Sequence, residues 1–100
     1  MPHALLPNAV DILESLIGFD TTSRDSNLPM IEWVEQYLRR HNVTSQRITS
    51  HDGKKANLLA TLGNGDGGIV LSGHTDVVPI DGQDWHTPPF TLTAKDGKLY

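Results

Sequence analysis

The chain of 100 residues has no cysteine, only six aromatic side chains and no long apolar run. Without cysteine it can form neither a disulfide nor a thiolate metal cluster, so any bound metal must be held by His, Asp or Glu. No stretch approaches the roughly 20 apolar residues that a membrane span requires. The N-terminal MPHALLPN lacks the features of a secretory signal, and we therefore expect a cytoplasmic protein with no membrane partner.

Basic charge is also scarce, because eight Lys and Arg face twelve Asp and Glu, which gives a formal net charge of −4. A nucleic-acid-binding protein typically carries a basic face, so we expect no nucleic-acid partner. Hydrophobic residues make up 37% of the chain, which is low but sufficient for a folded protein with this modest charge. The length allows one compact domain and hardly two.

Two helices are predicted in the first half of the chain. Asn8 suits the N-cap of the first helix, and Gly18 suits its end. The second helix begins near Pro29, which favours the first helical turn, and ends near Asn42 in a left-handed cap. Each helix carries an apolar face, formed by Ile12, Leu13, Leu16 and Ile17 in the first and by Met30, Ile31, Trp33, Val34, Tyr37 and Leu38 in the second.

Strand-like segments follow the helices. They are Val43–Thr49, Ala56–Leu62, Ile69–Leu71 and Phe90–Ala94, with turns at Ser50–Lys55, at Gly63–Gly68 and at Asp96-Gly97. Ile69–Leu71 is apolar without alternation, which predicts a central strand covered on both faces. Gly63–Gly68 is predicted to be a hairpin turn. Two helices followed by strands of a mixed sheet indicate an α/β fold.

The segment Ser72–Pro79, SGHTDVVP, is the most informative chemical motif. In an open α/β sheet, functional groups gather just past the carboxyl ends of central strands, and His74 follows the most apolar predicted strand. In extended backbone His74 and Asp76 project to the same side. A carboxylate beside a histidine can bind one ring nitrogen and leave the other free for a metal. The spacing alone is also compatible with a surface pair or with turn residues.

Longer strings carry a family resemblance. LSGHTDVVP, DGQDW, PPFTLT and DGKLY, together with FDTTSRDSNLPMIEWV and NLLATLG, resemble the N-terminal part of the M20 family of zinc-dependent amidohydrolases and peptidases. The resemblance runs from about Leu13 to Tyr100. HTDVVP and DGKLY are shared across that family, so they are specific for the family and weak for the substrate.

The resemblance implies roles for two residues of this chain. His74 matches a metal-ligand histidine, and Asp76 matches an active-site aspartate that orients it. It further implies two Zn²⁺ (or Co²⁺) ions in the complete enzyme, a small N-acyl amino acid substrate and a homodimer. The amide hydrolysis would remove an acetyl group, and a desuccinylase or a dipeptidase of the same family is the alternative.

The resemblance also implies that residues 1–100 are the incomplete N-terminal portion of the catalytic domain. The remaining metal ligands, the general base and the dimerisation domain would lie outside this sequence. We therefore expect the 100-residue chain to have no turnover by itself. A truncated chain without catalytic role, or a small binding module, is the alternative from another functional class.

Other side chains have weaker signals. His86, Asp81 and Asp84 could approach a metal, but solvated loop positions explain them. Trp85 and Phe90 could line a substrate pocket, but packing of the loop on the sheet explains them. Turns, caps and termini explain the remaining candidates, His3, His41, His51, Thr21, Thr22 and Ser23.

Overall fold

The computed structural model describes residues 2–100, with side chains from residue 8 onward. Two helices precede short antiparallel strands, which confirms the predicted α/β class. Neither helix in this part of the chain is long and apolar enough to cross a membrane. The elements are α1 (Pro2–Ile17), α2 (Leu28–Arg40), β1 (Ser45–Thr49), β2 (Ala56–Ala60), β3 (Ala94–Lys95) and β4 (Lys98–Leu99). They belong to two compact units, residues 21–78 and residues 2–20 with 79–100.

Helix α2 supplies most of the buried apolar surface of the 21–78 unit. Pro29 lies in its first turn, where a missing N–H costs no helical hydrogen bond. Met30 and Ile31 are buried, as is Ala56 of β2. Asn42, which follows the C-cap residue His41, adopts a φ of 60°, which confirms the predicted left-handed residue at the end of the helix.

The β1–β2 hairpin forms the sheet of this unit, with all five residues of each strand paired antiparallel. Gly53 in its turn has a φ of 73°. The Asp52 carboxylate accepts hydrogen bonds from the Lys54 amide at 3.0 Å and the Ser50 hydroxyl at 2.8 Å. These bonds, the Lys54 amide first, hold the pKa of the Asp52 carboxyl below its ordinary value. The predicted turn is confirmed.

An ion pair ties α2 to β1. Arg47 on β1 donates to both carboxylate oxygens of Glu35 on α2, from Nε to Oε2 at 3.2 Å and from Nη2 to Oε1. This bidentate bond lowers the pKa of Glu35 and raises the pKa of Arg47. The pair thus joins the helix to the first strand of the hairpin.

The second unit contains α1 and a small hairpin. Strands β3 and β4 pair antiparallel on either side of Asp96 and Gly97, whose φ values are 53° and 73°. Positive φ at both central residues is the requirement of the two-residue hairpin turn that Asp-Gly favours. Thr93 and Tyr100 exchange two backbone hydrogen bonds of 2.9 Å beyond the strands. The Asp96-Gly97 prediction is confirmed.

Two predicted boundaries are wrong in this unit. Helix α1 begins at Pro2, so Asn8 lies inside the helix and is not its N-cap. Proline is well suited to a helix start, and it competes with the asparagine signal six residues later. The strand predicted at Phe90–Ala94 begins only at Ala94, because Phe90 lies in a turn.

The prediction of a buried central strand at Ile69–Leu71 is also wrong. These residues form no strand, and their exposed fractions are 89%, 88% and 93%. A strand apolar on both faces needs ladder partners and covering layers from distant residues. The described part of this chain places neither beside Ile69–Leu71. Gly63–Gly68 consequently does not join two strands, so the predicted hairpin turn there is wrong as well.

The Glu35–Arg47 pair generates a pH-dependent prediction. Glu35 has a lowered pKa in the folded chain, so its pair stabilises the fold above the unfolded pKa of about 4.3, and this stabilisation is lost as the pH falls through the folded value. Glu35→Gln should lower the urea midpoint at about pH 7 and have no effect at about pH 3. Because the pair lies at the surface and is only partly buried, the difference should be small and should shrink in high salt.

The matched control is Glu32→Gln, one turn earlier on the same helix, which keeps the bond between Glu35 and Arg47. Over the whole pH range, the urea midpoint of Glu32→Gln should stay closer to that of the unsubstituted chain than the midpoint of Glu35→Gln does. An effect of Glu35→Gln that is equal at both ends of that range would contradict the assignment.

Candidate functional site

His74 and Asp76 lie together, as their spacing predicts. The Nδ1 atom of His74 is 3.0 Å from Oδ1 of Asp76 and 3.0 Å from the backbone oxygen of the same residue. Carboxylate and carbonyl oxygens only accept hydrogen bonds, so this geometry assigns the proton to Nδ1. Nε2 therefore carries a free lone pair. The exposed fractions of the two side chains, 82% for His74 and 61% for Asp76, leave that lone pair accessible.

The loop before α2 holds the backbone of this pair. Thr22 and Val77 form a parallel bridge, and the Ser23 amide donates to the Val77 oxygen at 2.9 Å. Thr21 makes two further bonds, since its oxygen accepts from the Val77 amide at 3.2 Å and its hydroxyl donates to the Thr75 oxygen at 2.5 Å. The exposed fractions of Thr21 and Thr22 are 4% and 2%. These threonines, predicted to be turn residues, are buried partners of the motif.

Asn27 connects the motif to strand β2. Its Nδ2 donates to the Ala56 oxygen at 2.9 Å and to Oγ1 of Thr75 at 3.1 Å. Its Oδ1 accepts from the Ala56 amide at 3.0 Å. Asn27 immediately precedes α2, yet its side chain makes no cap hydrogen bond to that helix. The hydrogen bonds of the Asn27 side chain are therefore tertiary contacts and not a helix cap.

The motif lines an open, mainly polar cavity of about 510 Å³ within the 21–78 unit. Ser72, His74 and Asp76 line it together with Lys55 and Asn57 from the hairpin. Lys55 also donates from Nζ to the Ser23 oxygen. Sequence reasoning missed Lys55, Asn57 and Asn27, because their sequence distance from His74 carries no local signal.

The metal-binding capacity of this site is partial. His74 fits one ligand position, since its Nε2 is free and its Nδ1–H is held by a carboxylate, as in protein metal sites generally. No group of three His, Asp or Glu side chains able to hold an ion occurs among the described residues. Zinc needs at least three protein ligands, so the described residues do not by themselves form a complete zinc site.

Among the residues whose side chains are described, the remaining histidine, aspartate and aromatic candidates are not part of the lining of this cavity. His86, Asp84 and Trp85 line a different cavity of about 680 Å³ in the other unit, with Lys95, Asp96, Tyr100, Gln83 and Thr87. The remaining candidates lie elsewhere. The His41 ring packs against the Tyr37 ring at a tilted angle of 44°, with centroids 4.7 Å apart. His51 is exposed in the β1–β2 turn, Phe90 is half-buried in a turn, and Asp81 is exposed. His3 lies outside the residues whose side chains are described.

The assigned proton position generates a spectroscopic prediction. At about pH 9, where histidine is neutral, His74 should be the Nδ1–H tautomer, seen in the ¹⁵N shifts of its two ring nitrogens. Asp76→Ala removes the carboxylate and keeps the backbone oxygen. The tautomer preference should therefore be reduced but not abolished.

The ring nitrogens of His51, in the hairpin turn, are the internal control and should not change. A dominant Nε2–H tautomer at His74 in the unsubstituted chain would contradict the assigned geometry.

Comparison with known proteins gives one consistent result. The chain is 40% identical to acetylornithine deacetylase of Proteus mirabilis and 38% identical to the enzymes of that name from Pasteurella multocida and Shigella sonnei. Each alignment covers 95% of this chain, but only 26–27% of the relative. The chain thus spans about a quarter of the length of the curated relatives it matches. The resemblance predicted from the sequence motifs is confirmed.

Two other comparisons gave no match. No model of a protein family matches the chain. No solved structure matches it either.

Proposed function

We propose that this chain, which resembles acetylornithine deacetylases over 95% of its length, is a metal-binding segment of an amidohydrolase of that kind. The reaction would remove the acetyl group from N-acetylornithine and release ornithine and acetate, a step of arginine biosynthesis in the cytoplasm. The observation that carries the proposal is the His74–Asp76 pair, in which Nδ1 is held and Nε2 is free. The pair occurs within a segment that aligns with enzymes of one name.

The roles of this chain's residues follow from that geometry. His74 would bind a divalent ion through Nε2, and Asp76 would keep the imidazole in the required tautomer and orientation. A zinc or cobalt ion supplies Lewis acidity toward a carbonyl oxygen and lowers the pKa of bound water. Lys55 and Asn57 would offer polar groups to a substrate in the cavity beside the pair.

Further features are proposals from the resemblance alone. They are two ions per active site in the complete enzyme, a small N-acyl amino acid as substrate and a homodimer. Two ions about 3.5–4 Å apart need several bridging and terminal ligands, and one histidine cannot supply them. The remaining ligands and the general base would come from residues other than those of this sequence.

A segment exchange tests the proposal in an active context. The matched segment of the Proteus mirabilis enzyme is replaced by this chain, and hydrolysis of N-acetylornithine is measured with added zinc. We expect the chimaera to be active. Asp76→Asn should lower kcat/KM by about 10–100-fold, because it disturbs the partner of a ligand. His74→Ala should lower it further, because it removes the ligand itself.

His86→Ala is the matched control, since His86 lies in the other unit, and it should retain the activity of the chimaera. A chimaera that is folded and metal-loaded but inactive, or a His74→Ala variant with full activity, would overturn the proposal. If the complete polypeptide that carries this segment prefers N-succinyl-diaminopimelate over N-acetylornithine, the desuccinylase alternative holds.

The 100-residue chain alone should not hydrolyse N-acetylornithine with added zinc. The physical reason is that the described residues hold no group of three ligands, so a catalytic ion has no complete site. Acetate release is measured against a His74→Ala chain at equal concentration. Release above that control would show that the isolated chain is sufficient, contrary to this expectation.

A further inference from the structure

The backbone around His74 receives little support from a sheet. The preceding residues Ile69–Leu71 are almost fully exposed and lie outside any strand. Among residues 21–78, the ladder contact of the motif is one isolated bridge between Thr22 and Val77. Burial and strand pairing therefore do not account for the fixed geometry of His74 and Asp76, and other contacts must hold it.

Thr21 holds both peptide groups that flank Asp76. Its hydroxyl donates to the Thr75 oxygen, which belongs to the peptide before Asp76. Its backbone oxygen accepts from the Val77 amide, which belongs to the peptide after Asp76. Because peptide groups are planar, holding one on each side restricts both backbone dihedrals of Asp76. The direction of the Asp76 carboxylate, and its contact with His74, depend on those dihedrals.

Asn27 holds the residue between the pair. Its Nδ2 bonds the Thr75 hydroxyl, while its amide as a whole bonds both backbone groups of Ala56. Ala56 is buried and paired with Thr49 in the β1–β2 hairpin. Asn27 therefore links the motif by hydrogen bonds to β2, which is a regular, paired strand.

We propose that Thr21 and Asn27 are positioning residues, which hold the segment between His74 and Asp76 so that Nδ1–H meets the carboxylate and Nε2 is presented outward. The inference rests on the proposed function only for the use made of Nε2. The position of the proton on His74 can be measured without any metal or substrate. A failure of this inference is therefore distinguishable from a failure of the proposed function.

The test compares Thr21→Val with Thr21→Ser in the 100-residue chain. Valine has a similar shape but no hydroxyl, whereas serine keeps the donor to the Thr75 oxygen. Two quantities are read by NMR at about pH 9, where histidine is neutral: the tautomer of His74 and the hydrogen exchange of the Val77 amide. Thr21→Val should weaken the Nδ1–H preference, because it removes the donor to the Thr75 oxygen. It should change Val77 exchange less, because valine keeps the backbone oxygen that accepts from this amide. Thr21→Ser should retain both.

A core variant separates positioning from general stability. Met30→Ala removes a buried apolar side chain of α2 and should lower the unfolding midpoint by about as much as or more than Thr21→Val. It should leave the His74 tautomer unchanged. Asn27→Ala, which keeps Thr21 intact, is the second positioning variant and should shift the tautomer in the same direction as Thr21→Val.

Each other outcome overturns the inference. Retention of the Nδ1–H tautomer in both Thr21→Val and Asn27→Ala would mean that the two residues do not set the pair. A tautomer shift in Met30→Ala as large as in Thr21→Val would reduce their role to stability. Unfolding of both positioning variants while Met30→Ala stays folded would do the same. A Val77 amide that exchanges unprotected in the unsubstituted chain would remove the observation itself.

Discussion

The side-chain amide of Asn27 makes the hydrogen bonds that connect the start of α2, strand β2 and the His74 motif in the 21–78 unit. Asn27 immediately precedes α2. Its side chain bonds both backbone groups of Ala56 on β2 and the hydroxyl of Thr75 in the motif. The exposed fraction of Asn27 is 8%. Its side chain therefore bonds buried donors and acceptors, which would cost free energy if they were left without hydrogen bonds. An asparagine can do this because one planar group offers two donors and an acceptor.

Polar contacts hold the His74 motif in position because few apolar side chains are buried near it. Fully burying a Val, Leu or Ile side chain is worth about 1.5–3 kcal/mol, so the nearly full exposure of Ile69–Leu71 leaves on the order of 5–9 kcal/mol unrealised. That amount is comparable to the whole stability of a small domain. The position of His74 is therefore set by hydrogen bonds from Thr21 and Asn27, and not by the packing of the apolar run before it.

The parts of the fold that could be predicted from the sequence are those that short-range chemistry determines. Asp96-Gly97 forms its tight turn because both residues tolerate positive φ, and Asn42 ends α2 for the same reason. Ile69–Leu71 had the composition of a buried strand, but burial depends on partners far along the chain. Composition describes what a segment can do when covered, and it does not tell whether anything covers it.

In the candidate site, too, the short-range contact could be predicted from the sequence and the long-range contacts could not. The contact between His74 and Asp76 follows from a spacing of two residues, so it could be predicted. Thr21 and Asn27 are 54 and 48 residues from Thr75, and no local pattern marks them. Buried threonine and asparagine in a polar loop look like turn residues until the fold supplies their distant partners.

The adjacent Asp76 and the distant residues Thr21 and Asn27 therefore contribute in different ways to the orientation of the His74 imidazole. A histidine next to a carboxylate is a common pair, and flexible backbone would let the imidazole change its tautomer and its direction. A metal ligand is useful only when its lone pair is fixed toward the ion, and a hydrogen bond to the other nitrogen achieves this. In this chain the local spacing supplies the carboxylate, and the distant loop restricts the backbone that aims it. The specific character of the pair thus comes from the loop at Thr21 and Asn27 rather than from the His-x-Asp spacing itself.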